Sequence, residues 1–348
     1  MTVAHTPAAT SNKQQATSNK QQATSNKHIY TLNHRKSVYW LVLIALADLL
    51  MKLSHSPITQ HRFQGIDFYL KRDDKLHPQF CGNKARKFLS LLELTDPNIT
   101  TLISYGSVQA NSLFSMAGLA AIRGWHLEYY VHRIPQWLKQ RPLGNYRAAL
   151  ELGAQIITTE HQAIKHPHDY ILQVRQPDEH CLLIEEGGRS PLAEYGVKQL
   201  ALEILEWIQQ QPKQAWIIAL PSGTGATSLY LQKALQPHDI LVVTCPCVGG
   251  AEYLRQQWQQ LSHGSYPTII EPKQKHIFGH LYREDYQIWQ QLYQQTHVEF
   301  DLLYDPLMWR CLLDWLPQHS QYALLYIHQG GLLGNESMLP RYQRLCGD

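Results

Sequence analysis

The sequence predicts an α/β protein built on open, twisted parallel sheets. From Met51 onward, short apolar runs that are typical of strands alternate with stretches that have the apolar spacing of helices. Four predicted strands are followed directly by polar loops of small residues, with the sequences SYGSVQAN, EEGGRSP, PSGTGAT and HQGG. Because open parallel sheets bind ligands at the carboxyl ends of their strands, we expect these loops to converge on one cleft.

Length and composition are those of a globular protein. The chain has 348 residues, enough for two domains or one large one. Its apolar fraction of 44% and charged fraction of 17% allow a sizeable buried core. A formal charge of +3, without a dense stripe of lysine and arginine, argues against nucleic acid as a partner.

The cysteines are scattered, apart from Cys245 and Cys247, which a single proline separates. That spacing is not typical of a zinc site, and the histidines show no helix-spaced pair, so we predict no metal. Scattered cysteines in a chain of this size favour reduced thiols and a cytoplasmic location.

Residues 1–50 differ in character from the rest of the chain. Residues 9–27 repeat the unit ATSNKQQ without apolar positions, which predicts disorder. The apolar segment Val38–Met51 is shorter than the roughly 18 residues that favour a transmembrane helix. Three interpretations stay open: a native start at or near Met51, an additional helix or membrane-associated anchor, and a cleaved signal peptide. No membrane span is expected after Met51.

The elements after Met51 follow one another with short connections. Strands are predicted over 66–72, 100–106, 126–133, 154–160, 181–188 and 239–247. Helices are predicted over 84–94, 112–124, 145–155, 195–211 and 302–316. Residues 215–235 are predicted as a strand, a glycine-rich turn and a helix, and residues 322–331 as a last strand with a diglycine turn.

A lysine at the start of a helix is the first candidate for chemistry. Gly82, Asn83 and Lys84 lead into a helix that carries two further cations, Arg86 and Lys87. The positive end of the helix dipole and the neighbouring cations are expected to lower the pKa of Lys84. A lysine with a lowered pKa is a nucleophile for an aldehyde, whereas the alternative is a basic first turn facing solvent.

The second candidate is a loop that fits a phosphate group. Its small residues stand at the predicted start of a helix, where backbone N–H groups bind anions: Ser222, Gly223, Thr224, Gly225, Ala226 and Thr227. The loop matches no nucleotide-binding motif, and the alternative is a tight turn. A reactive lysine together with such a loop indicates pyridoxal 5'-phosphate, with Lys84 as its Schiff-base lysine.

The same residues resemble the 1-aminocyclopropane-1-carboxylate deaminase/D-cysteine desulfhydrase family of pyridoxal-phosphate enzymes. The resemblance runs from about Ser56 to about Gly334. It rests on segments within 71–87, 104–111, 144–154, 185–196, 221–227, 304–306 and 328–334. It implies fold type II, the tryptophan synthase β-like fold. A large cofactor domain would comprise residues 51–87 and 193–348, and a smaller inserted substrate domain residues 88–192.

Residue roles follow from the resemblance alone. Lys84 would carry the cofactor and shuttle the proton at the substrate carbon, and Lys87 would help to neutralise the phosphate. Asn111 would hydrogen-bond the 3-hydroxyl oxygen, and Gln329 would face the pyridine nitrogen. The residues expected around the substrate are Ser107, Gln109, Asn111, Ser112, Met308 and Trp309.

The chain departs from the family at positions that act on the substrate. Ala110 stands where the family usually has a serine, and Met308 and Trp309 stand where it has a tyrosine and an acid. Tyr304 lies four positions before the family's tyrosine. Because opening a cyclopropane ring needs a positioned acid and base, the departures favour elimination of a good leaving group instead.

The first hypothesis is therefore a pyridoxal-phosphate-dependent lyase or deaminase, D-cysteine desulfhydrase-like or 1-aminocyclopropane-1-carboxylate deaminase-like. It would act on a small amino acid and release ammonia and a 2-oxo acid. Two alternatives stay open: an amino-acid racemase or β-substitution enzyme, and a pyridoxal-phosphate-binding protein with little turnover. Dimers are usual in the family, so a homodimer is expected.

Overall fold

The structure is a computed structural model that describes residues 53–347. The predicted repeat, the apolar segment and the proposed start at Met51 lie outside the described residues. Across the part that is described, no helix has the length and apolar character needed to cross a membrane.

Ten strands form two sheets in the described chain. The strands are β1 (Ile58–Phe63), β2 (Ile66–Lys71), β3 (Thr101–Tyr105), β4 (His126–Val131), β5 (Gln155–Thr158), β6 (Cys181–Ile184), β7 (Ala215–Ala219), β8 (Leu241–Thr244), β9 (Thr268–Ile269) and β10 (Tyr322–Ile327).

Helices connect the strands and cover the sheets. They are α1 (Gly82–Lys87), α2 (Leu89–Leu92), α3 (Asn111–Arg123), α4 (Gln136–Gln140), α5 (Gly144–Glu151), α6 (Pro167–Tyr170), α7 (Ala193–Ile208), α8 (Ala226–Leu235), α9 (Gly250–Leu261), α10 (Arg283–Thr296), α11 (Asp305–Trp315) and α12 (Asn335–Cys346). The predicted helix over 84–94 is thus two short helices, because the backbone breaks at Phe88.

The larger sheet has the strand order β1-β2-β10-β7-β8-β9, and the smaller has β5-β4-β3-β6. All neighbouring strands are parallel except β1 and β2, which form an antiparallel hairpin at one edge. The predicted α/β class with parallel sheets is therefore confirmed. The smaller sheet lies inside residues 88–192, while the predicted domain boundaries themselves stay a prediction.

The apolar strands of the larger sheet are buried on both faces, as is usual for parallel sheets. Along β7, Ile217 and Ala219 belong to one core cluster, whereas Trp216 and Ile218 belong to the other. This alternation follows the two-residue period of a strand. Helices α10 and α11 pack on the first face, and α7 and α8 pack on the second. The sheet is thereby fixed from both sides, and the loops at its carboxyl edge are held in place.

Candidate active site

The loops that follow the strands line one cavity of about 460 Å³. Its volume lies within the range of small-molecule sites. The structure brings the predicted residues together in its wall: Lys84, Lys87, Ser107, Gln109, Asn111, Ser112, Gln329 and the loop Ser222–Thr227. The roles predicted for these residues stay predictions, but their convergence on one cavity is a property of the fold.

A glycine lets the lysine helix pack closely against the last strand's loop. Gly82 begins α1 with a φ of +64°, and a Cβ atom there would overlap the carbonyl oxygen of Gln329. The backbone N–H of Asn83 donates to the same carbonyl at 3.1 Å, and Asn83 Nδ2 donates to Gln329 Oε1 at 2.9 Å. These contacts fix the direction in which α1 presents Lys84 to the cavity.

The pKa of Lys84 falls, as predicted, but for a different main reason. Burial lowers the pKa of Lys84 to about 8, although its hydrogen bond with Lys87 and the charge of Asp301 act in the opposite direction. Desolvation therefore outweighs both neighbours. Burial, together with the proximity of Lys84, also lowers the pKa of Lys87 well below its ordinary value.

Arg86 does not act on Lys84 in the way the sequence suggested. Its guanidinium donates to Asp73 at 2.8 and 2.9 Å and to Glu203 at 2.6 and 2.9 Å, away from the cavity. Lys71 Nζ donates to the same Glu203 at 2.6 Å. This buried charge cluster ties α1 to β2 and α7, so Arg86 positions the lysine helix rather than tuning its amine.

The loop between β7 and α8 forms another part of the cavity wall. Gly225 has a φ of +77°, and a Cβ atom there would overlap Leu254 and Trp258, whose Nε1 donates to Gly225 O at 3.0 Å. The first N–H groups of α8 have no partner inside the helix, which makes this end an anion site. Ser222 Oγ lies 2.8 Å from both Ser228 Oγ and Thr244 Oγ1, so its hydroxyl already has two partners.

The amines and N–H donors of the cavity match the aldehyde and the phosphate of pyridoxal 5'-phosphate. Two lysine amines in mutual contact line the cavity, and a bound anion would favour the protonated form of both. Lys87 Nζ donates to Gly187 O, another residue of the cavity wall. The Ser222–Thr227 loop supplies N–H donors, and Lys84 supplies the amine that an aldehyde needs.

Asn111 is held between two partners at the start of α3. Its Oδ1 accepts a hydrogen bond from Asn145 Nδ2 at 2.8 Å, and its Nδ2 donates to Asp301 Oδ2 at 3.3 Å. Gly331, with a φ of +85°, makes room for the pair, because a Cβ atom there would overlap Asn111 and lie 2.9 Å from Asp301 Oδ2. One N–H of Asn111 is left to meet a ligand.

The side chain of Gln329 lies in the cavity wall beside the start of α1. Its Nε2 donates to Pro221 O at 2.6 Å, and its Oε1 accepts from Asn83. The amide is thus oriented from both ends and cannot rotate freely. Its position facing a cofactor nitrogen stays a prediction.

The prediction that Met308 and Trp309 line the substrate pocket is wrong. Both side chains have no exposed surface and belong to the core between the larger sheet and α11. The Trp309 ring packs edge-on against Phe68 at a centroid distance of 4.7 Å and stacks on Tyr326 at 5.0 Å. Because α11 begins at Asp305, its second turn faces the sheet, and the residues just before it reach the cavity instead.

Several residues of the cavity wall were not predicted from the sequence. Among them are Glu186, Tyr253, Phe278, Asp301, Met338 and Arg341. Tyr304 lies there too, 3.5 Å from the position a Cβ atom of Gly223 would take. Burial raises the pKa of Asp301 to about 6, although the hydrogen bonds that it accepts from the N–H groups of Leu303 and Tyr304 act to lower this pKa. No spacing motif marks these residues, because the fold brings them from distant parts of the chain.

Comparisons with known proteins agree with this geometry. No family model matches the chain. A Thermotoga maritima protein, named provisionally as a 1-aminocyclopropane-1-carboxylate deaminase, is 23% identical over 286 residues, which are 78% of this chain and 90% of that protein. The D-cysteine desulfhydrase of Serratia proteamaculans is 28% identical over 181 residues, which are 50% of this chain and 54% of that enzyme.

Among solved structures, the crystal structure of an ACC deaminase homologue superposes with a TM-score of 0.69 at 21% identity. It covers 86% of this chain, and the match spans 98% of that structure. The fold is accordingly that of pyridoxal-phosphate enzymes of fold type II. Within that class, the chain resembles the 1-aminocyclopropane-1-carboxylate deaminase/D-cysteine desulfhydrase family, as its motifs predicted.

Proposed function

We propose that the chain is a pyridoxal-phosphate-dependent lyase or deaminase that converts a small amino acid into ammonia and a 2-oxo acid. The observation that carries this proposal is a lysine with a lowered pKa, Lys84, which shares the wall of a cavity of about 460 Å³ with an anion-binding loop. The names of the relatives support an enzyme of this class.

Lys84 would hold the cofactor and move the proton at the substrate α-carbon. A group with a pKa of about 8 is suited to take and return a proton near neutral pH. The bound cofactor would supply an electron sink for the charge left on that carbon. The neutral Gln329 amide, fixed by Asn83 and Pro221, would leave this sink weaker than a carboxylate partner would.

The loop after β3 would bind the α-carboxylate of the substrate. Ser107, Gln109 and Ser112 lie in the cavity wall where α3 begins, and a helix N-terminus favours an anion. Tyr304 would act as a neutral donor, because burial raises the pKa of its phenol well above the ordinary range. The side-chain substituent would then leave from the neighbouring carbon, which suits sulfide better than a ring bond.

The test is a panel of D- and L-amino acids, including D-cysteine and 1-aminocyclopropane-1-carboxylate, assayed for ammonia and 2-oxo acid. We expect release from at least one amino acid, and loss of release in Lys84→Ala. The matched control is Lys198→Ala, which removes an exposed lysine from α7. Inversion without release would favour a racemase. A cofactor spectrum that no amino acid changes would favour a binding protein with little turnover.

We also propose a cytoplasmic homodimer. The thiols support a reducing compartment, since all six cysteines are unpaired. The dimer rests on the family resemblance, and light scattering of the purified protein tests it. A mass of one chain would refute this part of the proposal.

A further inference from the structure

We propose that Arg341 forms an anion subsite in the cavity, so that the substrate is an amino acid whose side chain carries a negative charge. This inference rests on the proposed function and specifies its substrate class. The charged group would be a carboxylate, sulfonate or phosphate at the end of the side chain, separate from the α-carboxylate.

The position of Arg341 supports this assignment. It lies on α12 and shares the cavity wall with Lys84. Its guanidinium donates to Gly279 O at 3.1 Å and to Met338 Sδ at 3.0 Å. These are neutral acceptors, and a thioether is a weak one. The two contacts orient the side chain without neutralising it.

No carboxylate of the described residues lies within ion-pair distance of this guanidinium. Two other half-buried arginines are paired with carboxylates, Arg175 with Glu128 at 2.8 Å and Arg310 with Asp285 at 2.7 Å. A third, Arg123, is not in the cavity wall and donates to the carbonyl oxygens of Leu92 and Leu94. An arginine that is half-buried in a cavity wall and unpaired is a site for an incoming anion.

The acidic groups of the cavity do not serve as its partner. Asp301 accepts hydrogen bonds from the N–H groups of Leu303 and Tyr304 at 2.8 and 2.9 Å, and from Asn111. Asp305 accepts hydrogen bonds from the N–H group of Asp301 and the hydroxyl of Tyr326. Glu186, the third acid of the wall, forms no ion pair with Arg341 among the described residues. The positive charge of Arg341 is therefore available to a ligand.

The remaining anions of the reaction have other binding groups. The phosphate of the cofactor is assigned to Lys87 and the Ser222–Thr227 loop, and the α-carboxylate to the loop before α3. A further cation on a different element, α12, therefore implies a third anion. Phe278, which packs on Tyr304 at a centroid distance of 5.0 Å, and Met338 line the same cavity, so the charged group of the ligand would share it with apolar surface.

The test measures binding to the holoenzyme with probes that cannot react at the α-carbon. α-Methylaspartate and α-methylasparagine differ in charge but hardly in size, and both lack the α-hydrogen. Isothermal titration calorimetry with both enantiomers gives the dissociation constants without turnover. We expect the aspartate analogue of one hand to bind about ten- to a hundredfold more tightly, the range of a charge-assisted hydrogen-bonded pair.

Arg341→Gln should abolish this preference, and Arg341→Lys should retain part of it, because charge remains but the planar fork is lost. The matched control is Arg344→Gln, which removes an exposed arginine from the same helix and should leave the preference intact. Melting temperatures of all variants are compared first, so that misfolding is recognised. Equal affinities in the wild type, or a preference that survives in Arg341→Gln, overturn the anion subsite.

The two proposals fail in different ways. A cofactor-saturated wild type without the absorbance band of lysine-bound pyridoxal phosphate refutes the proposed function, and the subsite with it. A protein that shows the band yet binds both probes equally refutes the subsite alone.

Discussion

Replacing Glu203 by glutamine should destabilise the protein strongly, although this residue lies outside the cavity. Its carboxylate accepts hydrogen bonds from Lys71 and Arg86, and the three side chains are at most 6% exposed. Asp73 is the other buried acid of this cluster. Glu203→Gln keeps the shape of the side chain but leaves two buried cations with one carboxylate.

The magnitude follows from two independent considerations. Removing one partner of a buried ion pair costs about 3–5 kcal/mol, because the remaining charge stays desolvated. Burial alone would raise the pKa of Glu203, but the hydrogen bonds and charges of Arg86 and Lys71 lower it from 4.5 to about 2. That shift corresponds to roughly 3 kcal/mol in favour of the folded state at neutral pH.

The sign of the pH dependence follows from the lowered pKa. The contribution of Glu203 is fully present above the ordinary pKa of 4.5 and is lost as the pH falls towards about 2. The difference in stability between wild type and Glu203→Gln should therefore shrink below pH 4.5.

Urea denaturation at pH 7 and at lower pH, at one fixed cofactor concentration, measures this difference. The matched control is Glu194→Gln on the same helix, α7. Glu194 is also paired with a lysine, Lys233, at 2.7 Å, but these side chains are 42% and 49% exposed. The control should cost less than about 1 kcal/mol. Equal costs for the two variants, or a cost for Glu203→Gln that does not change with pH, would refute the reasoning.

Three further predictions concern the cavity and its surroundings. Gly82→Ala should strongly reduce cofactor affinity, since its Cβ overlaps Gln329 O, and an unchanged spectroscopic titration would count against this packing. Because only the neutral amine attacks an aldehyde, the pKa of about 8 predicts that cofactor attachment to the apoprotein accelerates about tenfold from pH 7 to 9 and then levels off. Stopped-flow absorbance measures this, and a rate still rising at pH 10 would contradict it. Met308→Leu should cost less than about 1.5 kcal/mol and leave the ratio of kcat/KM between two amino acids unchanged, because Met308 lies in the core. A changed ratio would indicate that Met308 contacts the substrate.

The sequence was sufficient for the features that depend on local pattern. Strands β7, β8 and β10 are apolar runs bounded by turns, and their type and order were predicted. Lys84 and the Ser222–Thr227 loop were also found, because each combines a distinctive residue type with the start of a helix. Such local combinations survive folding unchanged.

Features that depend on tertiary contacts could not be predicted from sequence patterns. Strand β1 is a half-exposed edge strand with the polar sequence ITQHRF, so its pattern is weak. Whether Met308 faces the cavity or the core depends on the residue at which α11 begins. A shift of that start by one residue would rotate every side chain of the helix about its axis, and the sequence does not fix the start that closely. The approach of Asp301 to Asn111 depends on Gly331, and no local pattern connects these three residues.

The identity of the lysine that carries the cofactor decides whether the proposed site is real. Pyridoxal phosphate is added to the purified protein, the complex is reduced with borohydride, and peptide mass spectrometry locates the modified lysine. We predict the modification on Lys84 in the wild type and in Lys198→Ala, and none in Lys84→Ala. A modification on another lysine, or no modification in the cofactor-saturated wild type, would contradict the proposed site.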